Sequence, residues 1–322
     1  MKRELGDLEL ARYEASIVFR SKAILPLWSG NVLRSGFGAR LREMVCASRR
    51  EDCSRCPLMG ACAYDFFYNS RLPEGAEFLR KQRDIPRPFT LEPPRPGTYE
   101  PGSVALVGFT LLGKGISYLP YFLLAIRNLG EIGMSARFRE GLGKFDLMRT
   151  DSVGYGSRSN IFKGDTVYNR SLILRYSDIL KASKEHFGNL TISFSTPTQI
   201  KEDGMFTAVP TFRGFMGRLL SRANAVASFY GTGMLYDYDE VLGILGKCRS
   251  ISISSAKTEE LRERRRFHNQ GGEKKPLAPF FKGEIIYSGE FSRDIMALLE
   301  LGRLIHVGKM ATFGNGRYEI EV

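Results

Sequence analysis

The sequence has 322 residues, enough for two ordinary domains that each bury a core, and its 43% hydrophobic and 25% charged content is that of a folded globular protein rather than a disordered one. No apolar run approaches the roughly eighteen residues of a membrane span. The opening MKRELGDLEL carries charge where an export signal needs an apolar stretch, so a cytoplasmic location without membrane contact is expected. A net charge of +12, from 47 Lys and Arg against 35 Asp and Glu, points to a polyanionic partner, nucleic acid before acidic lipid.

Taken in chain order, 12–19 (RYEASIVF) is aromatic and β-branched and predicts a strand. After the turn LPLWSG, Asn31 can cap a helix whose apolar stripe is Leu33, Phe37, Leu41 and Val45. Arg34, Arg40 and Arg42 lie off that stripe, available to solvent or a ligand. Four of the five cysteines then cluster over 46–70, as Cys46-x6-Cys53-x2-Cys56-x5-Cys62, before the aromatic run YDFFYN. Without an export signal such clustering favours metal over disulfides, and Cys53-x2-Cys56 can form the tight turn of a tetrahedral zinc site. An iron–sulfur cluster or unliganded thiols are the other readings of the same spacing. Four sulfur ligands leave no open position, so a metal here is structural and not catalytic. Cys248 stands alone, read as a small buried hydrophobe.

The proline-rich stretch 85–101 predicts an extended surface connection. SVALVGFTLL (103–112) reads as a buried strand, and ISYLPYFLLAIRNLG as an apolar helix with Pro120 in its first turn and Gly130 at its end. GLGKFDLMR predicts a strand, TDSVGYGSRSNIFKGD a polar loop, and TVYNRSLILRYS a further strand region. A domain boundary is expected within KASKEHFGN, dividing the chain into 1–183 and 184–322, with His186 an exposed linker residue.

The second half gives a strand at LTISFSTP ended by Pro197, then a helix striped by Phe212, Met216, Leu219, Ala223 and Val226. A shorter helix near 238–247 follows. Strands at RSISISSA and FKGEIIYSGEF, a helix at SRDIMALLELG and a last strand RYEIEV complete it. Setting the short helix aside, the order is β-α-β-β-α-β, the ferredoxin-like order also used by RNA-recognition modules. The first half has a looser version, so the expected fold is α+β, a tandem pair of ferredoxin-like (RRM-like) domains with a cysteine-cluster insertion in the first.

Two stretches of the second half suit RNA. LRERRRFHNQGGEKKPL (261–277) interleaves Arg262, Arg264, Arg265, Arg266, Lys274 and Lys275 with Phe267 and His268, which permits phosphate contacts and base stacking in one element. The segment from Leu301 to Val322 carries Gly302, Gly308, Gly314 and Gly316, with His306, Lys309 and Arg317 between them. A left-handed cap is expected at Gly302, and the loop beyond it can bring backbone N–H groups close to phosphate, although a plain helix-to-strand turn would use the same glycines.

HVGKMATFGNGRYEI resembles the C-terminal glycine-rich signature of the RAMP superfamily of CRISPR-associated proteins, and more closely that of the Cas-six endoribonucleases, which process precursor CRISPR RNA. LRSGFGARLREMVC, the cysteine cluster, GMSARFREGLGKFDL, LTISFSTPTQIKEDG, FMGRLLSRANAVASFYG and KPLAPFFKGEIIYSGEF extend the resemblance over most of the chain. It implies metal-independent cleavage of repeat hairpin RNA by its 2′-hydroxyl, giving a 2′,3′-cyclic phosphate, with the mature crRNA retained and other Cas proteins of an interference complex as partners. It also implies that the 261–275 loop reaches toward the repeat duplex. Gly308, Gly314, Gly316 and Arg317 would then contact RNA, with Arg264, Arg265, Arg266 and His268.

Many relatives carry a first-helix histidine where GFGARLRE has Ala39. Three readings follow: His306 takes the proton-transfer role; Arg34 and Arg40, with Lys309, only stabilise charge; or the protein is a non-catalytic RAMP subunit that holds crRNA. Outside that resemblance, a zinc-containing nucleic-acid-binding regulator is the remaining class.

Overall fold

The computed structural model of the protein describes residues 6–48, 53–71, 85–266 and 274–322. Contacts divide these into two compact units, one of 6–175 with 225–233 and one of 176–224 with 234–322. The expected division fell at 183/184.

The first unit contains β1 (Glu9–Phe19), β2 (Ala23–Leu25), α1 (Ser29–Val45), α2 (Ala63–Tyr68), β3 (Phe89–Glu92), β4 (Gly97–Tyr99), β5 (Val104–Leu112), α3 (Leu119–Ile132), β6 (Phe145–Val153), β7 (Arg158–Lys163), β8 (Thr166–Val167) and β9 (Leu174–Arg175). Its main sheet runs β3-β5-β1-β6-β7-β8, with β9 also pairing β1 and every pairing antiparallel. Numbered along the chain, the first four core strands stand in the order 2-3-1-4, the ferredoxin-like arrangement. Ala11, Tyr13, Ala15, Ile17 and Phe19 alternate along β1 into the core, where they join Leu33, Phe37 and Leu41 of α1 and Phe122, Ile126 and Leu129 of α3. Phe37 and Phe122 meet with ring centroids 4.2 Å apart. Gly36 has no side chain because a Cβ would stand 2.6 Å from Leu129 Cδ1, which lets the two helices close.

The second unit contains α4 (Tyr176–Ala182), β10 (His186–Thr198), β11 (Ile200–Glu202), β12 (Met205–Thr207), α5 (Phe212–Tyr230, its residues from 225 on belonging to the first unit), α6 (Tyr238–Lys247), β13 (Ser252–Leu261), β14 (Arg264–Arg266), β15 (Lys274–Pro276), β16 (Phe280–Phe291), α7 (Arg293–Ile305) and β17 (Tyr318–Glu321). Its four-stranded sheet runs β13-β16-β10-β17, again antiparallel and again the 2-3-1-4 order. The expected stripe of α5 is buried from Phe212 through Met216, Leu219 and Ala223 to Val226. The mixed α+β class and the tandem ferredoxin-like arrangement therefore hold.

Several local expectations do not. His186 starts β10 opposite Phe291 and bonds through Nε2 to the Asn189 carbonyl at 2.8 Å, so it is a strand residue and not a linker. Pro197 does not end that strand; it sits in a register irregularity before Thr198. The polar loop expected over 150–165 contains β7, a strand paired between β6 and β8 that polar alternation alone does not indicate. TVYNRSLILRYS holds only the short β8 and β9 before α4. The helix of Leu119–Ile132 passes through Gly130, where a Cβ would lie 2.2 Å from the Phe145 carbonyl oxygen, and ends at Gly133.

Candidate functional site

In the second unit the glycine-rich segment is built by backbone geometry. Gly302 is inside α7, not at its end: a Cβ there would stand 2.0 Å from the hydroxyl of Tyr318, which donates to the Leu299 carbonyl at 2.7 Å. The helix instead stops at Ile305 and is capped by His306 at φ 61° and ψ 171°, which is not the left-handed cap but an unusual positive-φ conformation for a side-chain-bearing residue. Gly308, Gly314 and Gly316 follow at φ 74°, 82° and 74°. A Cβ on Gly308 would meet the Gln199 carbonyl oxygen at 2.3 Å, and one on Gly316 the Val307 carbonyl oxygen at 1.8 Å. Glycine is required twice over at these two positions, by torsion and by space.

The amides at both ends of this loop are committed within the protein. Gly316 donates to the Pro197 carbonyl at 3.1 Å, Gly314 to Ala311 at 2.9 Å, Val307 to Gly316 at 3.0 Å, and Arg317 to Thr196 Oγ1 at 2.9 Å. The C-terminal half of the loop is thus a packed turn tied to the end of β10, and no protein acceptor among the described residues takes the amides of Gly308, Lys309, Met310 and Ala311. His306 is 0% exposed, and its Nδ1 lies 3.2 Å from the Asn315 carbonyl oxygen, joining the two ends of the loop. A ring so enclosed and bonded to backbone fits a structural histidine better than one that transfers protons at a surface phosphate. Lys309 is exposed, and Arg317 is half-buried with its guanidinium 3.1 Å from Glu319. Arg264, Arg265 and Arg266 pair in backbone register with Pro276, Lys275 and Lys274, so part of the expected basic loop is a hairpin. His268 lies outside the described residues.

In the first unit, α1 and α2 border a groove with a cavity volume of about 910 Å³. Arg34, Ala39, Arg40 and Arg42 come from α1, and Tyr64 and Tyr68 from α2. The two tyrosines, four residues apart on one helical face, stack at 4.9 Å with their planes 6° apart. Arg34 lies over the Tyr68 ring at 4.9 Å and Arg42 over Tyr64 at 5.7 Å. Tyr68 donates to the Arg34 carbonyl at 3.0 Å, and Gly38 leaves room for that hydroxyl, since a Cβ would be 2.6 Å from it. Arg40 pairs with Glu43 one turn along, and Ala39 is exposed between the arginines. Burial pushes both phenols above their ordinary value, so they are neutral at physiological pH. The arrangement offers fixed positive charge on an aromatic floor, suited to a phosphodiester. Arg34 and Arg40 thus share one groove; Tyr64 and Tyr68 were missed, although their i, i+4 spacing in YDFFY was the signal.

The cysteine cluster differs from its expected form. The thiols of Cys46 and Cys56 meet the Ser48 hydroxyl at 4.0 and 3.4 Å, Cys53 opens a single 3₁₀ turn, and Cys62 precedes α2. Among the described residues no three His, Cys, Asp or Glu side chains gather to hold a metal ion. The insertion is therefore not observed as a metal site. Cys248 is buried as expected, and burial pushes its thiol up to about 12.

Residues 8–173 match the family model AF_1859_N, described as an N-terminal domain, and 192–318 match that of the CRISPR-associated endoribonuclease Cas6. An uncharacterized protein of Archaeoglobus fulgidus is 25% identical over 321 residues, 98% of each chain. Thermus thermophilus Cas6 superposes with a TM-score of 0.54 at 16% identity, covering 98% of this chain and 99% of that one. A Cas6 product complex superposes at 0.55 and 18% identity, covering 97% and 99%. A partial Cas6-RT-Cas1–Cas2 complex gives 0.58 at 11% identity, covering 98% of this chain and 46% of that one. At such identities the likeness is one of fold. No helix among the described residues is long and apolar enough to cross a membrane.

Proposed function

The chain belongs to the CRISPR-associated Cas6 endoribonuclease family, and we propose that within this RNA-processing role it cuts CRISPR repeat RNA without metal and keeps the product bound. The 2′-oxygen attacks the adjacent phosphorus, the P–O5′ bond breaks, and the ends left are a 2′,3′-cyclic phosphate and a 5′-hydroxyl. The 2′ proton passes to solvent and the 5′-oxygen takes one from it. Arg34 and Arg40 stabilise the charge that builds on the phosphoryl oxygens. With Ala39 where a histidine would transfer protons, the reaction forgoes a contribution of about 10²-fold or more and is slow. Lys309 and the strand of Arg264, Arg265 and Arg266 hold the RNA backbone. The observation that carries this reading is the groove around Ala39, which three arginines of one helix line, Arg34 and Arg42 of them over the stacked tyrosines.

The test is cleavage of labelled repeat RNA in EDTA, beside a substrate with 2′-deoxy at the cut. Cutting of the first alone, with a cyclic phosphate end, is the expected result. Cutting of the deoxy substrate, or none without metal, rejects the mechanism. The exposed Ala39 favours a second reading, a subunit that holds crRNA without cutting it, for which tight binding and no cleavage is the signature. Other Cas proteins are proposed as partners on the likeness to the Cas6-RT-Cas1–Cas2 complex.

The spacing of Cys46, Cys53, Cys56 and Cys62 supports a structural zinc that gathers these thiols when it binds, leaving catalysis independent of it. Metal analysis of the purified protein should find about one zinc per chain. A fully folded sample free of metal rejects it.

A further inference from the structure

Beside the glycine-rich segment, the second unit raises a tight hairpin that none of the expected RNA contacts includes. β11 and β12 are joined by Asp203 and Gly204, both at positive φ (46° and 85°), the turn geometry that matches strand twist. Lys201 stands directly opposite Phe206, its ammonium 5.8 Å from the ring centroid. Phe206 is 36% exposed and its neighbour Met205 72% exposed.

The hairpin is held firmly. Arg218 of α5 donates to the Lys201 carbonyl at 2.7 Å, and Glu202 accepts from the Thr211 amide at 3.1 Å, in space that Gly214 leaves open. Its base adjoins the glycine loop, because Gln199, immediately before β11, presents the carbonyl against which Gly308 packs. One turn beyond Arg218, Arg222 donates to the Ile305 carbonyl at 2.7 Å, where α7 gives way to that loop. Lys201, Arg218 and Lys309 are all exposed. Of the hairpin's two carboxylates, Glu202 is engaged with Thr211, leaving Asp203 at the tip.

We infer that this hairpin is a second RNA contact, which takes unpaired nucleotides of the repeat, stacking a base on Phe206 while Lys201 and Arg218 meet the phosphates on either side. An aromatic ring backed by a cation on a rigid support fits a base face, and a duplex would not expose one. Positive charge flanking the apolar tip favours RNA over a protein surface. The inference rests on the reading that the chain binds repeat RNA.

The experiment is fluorescence-anisotropy binding of 2′-deoxy-blocked repeat RNA to the full chain, with its flanks free or annealed to complementary strands. Phe206→Ala should weaken binding of the free-flank RNA roughly 10- to 100-fold and leave the annealed form unchanged. Lys201→Gln should lower the salt slope by about 0.7. If the wild type fails to bind either RNA, the proposed function itself falls. If it binds and both variants match it, the hairpin inference alone is overturned. Loss of self-association in the ultracentrifuge, with RNA affinity intact, would reassign the tip to a protein contact. Because Phe206 and Lys201 are exposed, both variants should keep the wild-type melting temperature, which separates lost contact from lost fold.

Discussion

The glycine-rich loop and the α1–α2 groove are opposites in construction. The loop is specified by what its residues lack: Gly308 and Gly316 hold torsions and contacts that no side chain permits, and the amides beside Gly316 are spent internally. The groove is specified by what its residues carry, since α1 is an ordinary helix whose outer face displays Arg34, Arg40 and Arg42, the first and last of them over two tyrosines. A loop of the first kind fails by losing its shape. A groove of the second kind fails by losing its charge while the fold survives.

That contrast can be broken in four places. Gly316→Ala should cost about 3 kcal/mol, from a left-handed torsion and a collision with the Val307 carbonyl, and appear as a lower melting temperature; an unchanged one would mean the loop is not fixed by its backbone. Arg34→Ala with Arg40→Ala should slow cleavage about 100-fold at nearly constant stability, measured in single turnover against a thermal melt. His306→Ala should cost about 2 kcal/mol by removing a buried hydrogen-bonded ring, with cleavage following the folded fraction. A stable but inactive His306→Ala protein would instead return that ring to the chemistry. Replacing Arg264, Arg265 and Arg266 by alanine should weaken binding roughly tenfold and reduce the salt slope by about 0.9 per phosphate contact removed, with no change in the cut position.

The sequence was informative where a pattern had a period. Leu33, Phe37 and Leu41 on α1, Phe212 through Val226 on α5 and the alternation along β10 led directly to two β-α-β-β-α-β units. It was less so where tertiary contacts decide. Nothing local to Gly302 says that it makes room for a tyrosine hydroxyl sixteen residues later, so the cap was placed one turn too early. Nothing local to His306 decides between a structural and a catalytic ring; the contact of its Nδ1 with the Asn315 carbonyl, nine residues on, favours the structural one. The hairpin has a local signal, because Asp203-Gly204 between Lys201 and Phe206 is a two-residue turn sequence.

The central claim is that the groove around Ala39 holds the scissile phosphate. Ala39→His tests it most directly, because Ala39 is exposed between Arg34 and Arg40 and a histidine there has room to transfer protons. Single-turnover cleavage of repeat RNA in EDTA should then be faster than wild type by about 100-fold, with binding unchanged. A folded Ala39→His protein that cuts no faster would contradict the account and move the chemistry away from α1.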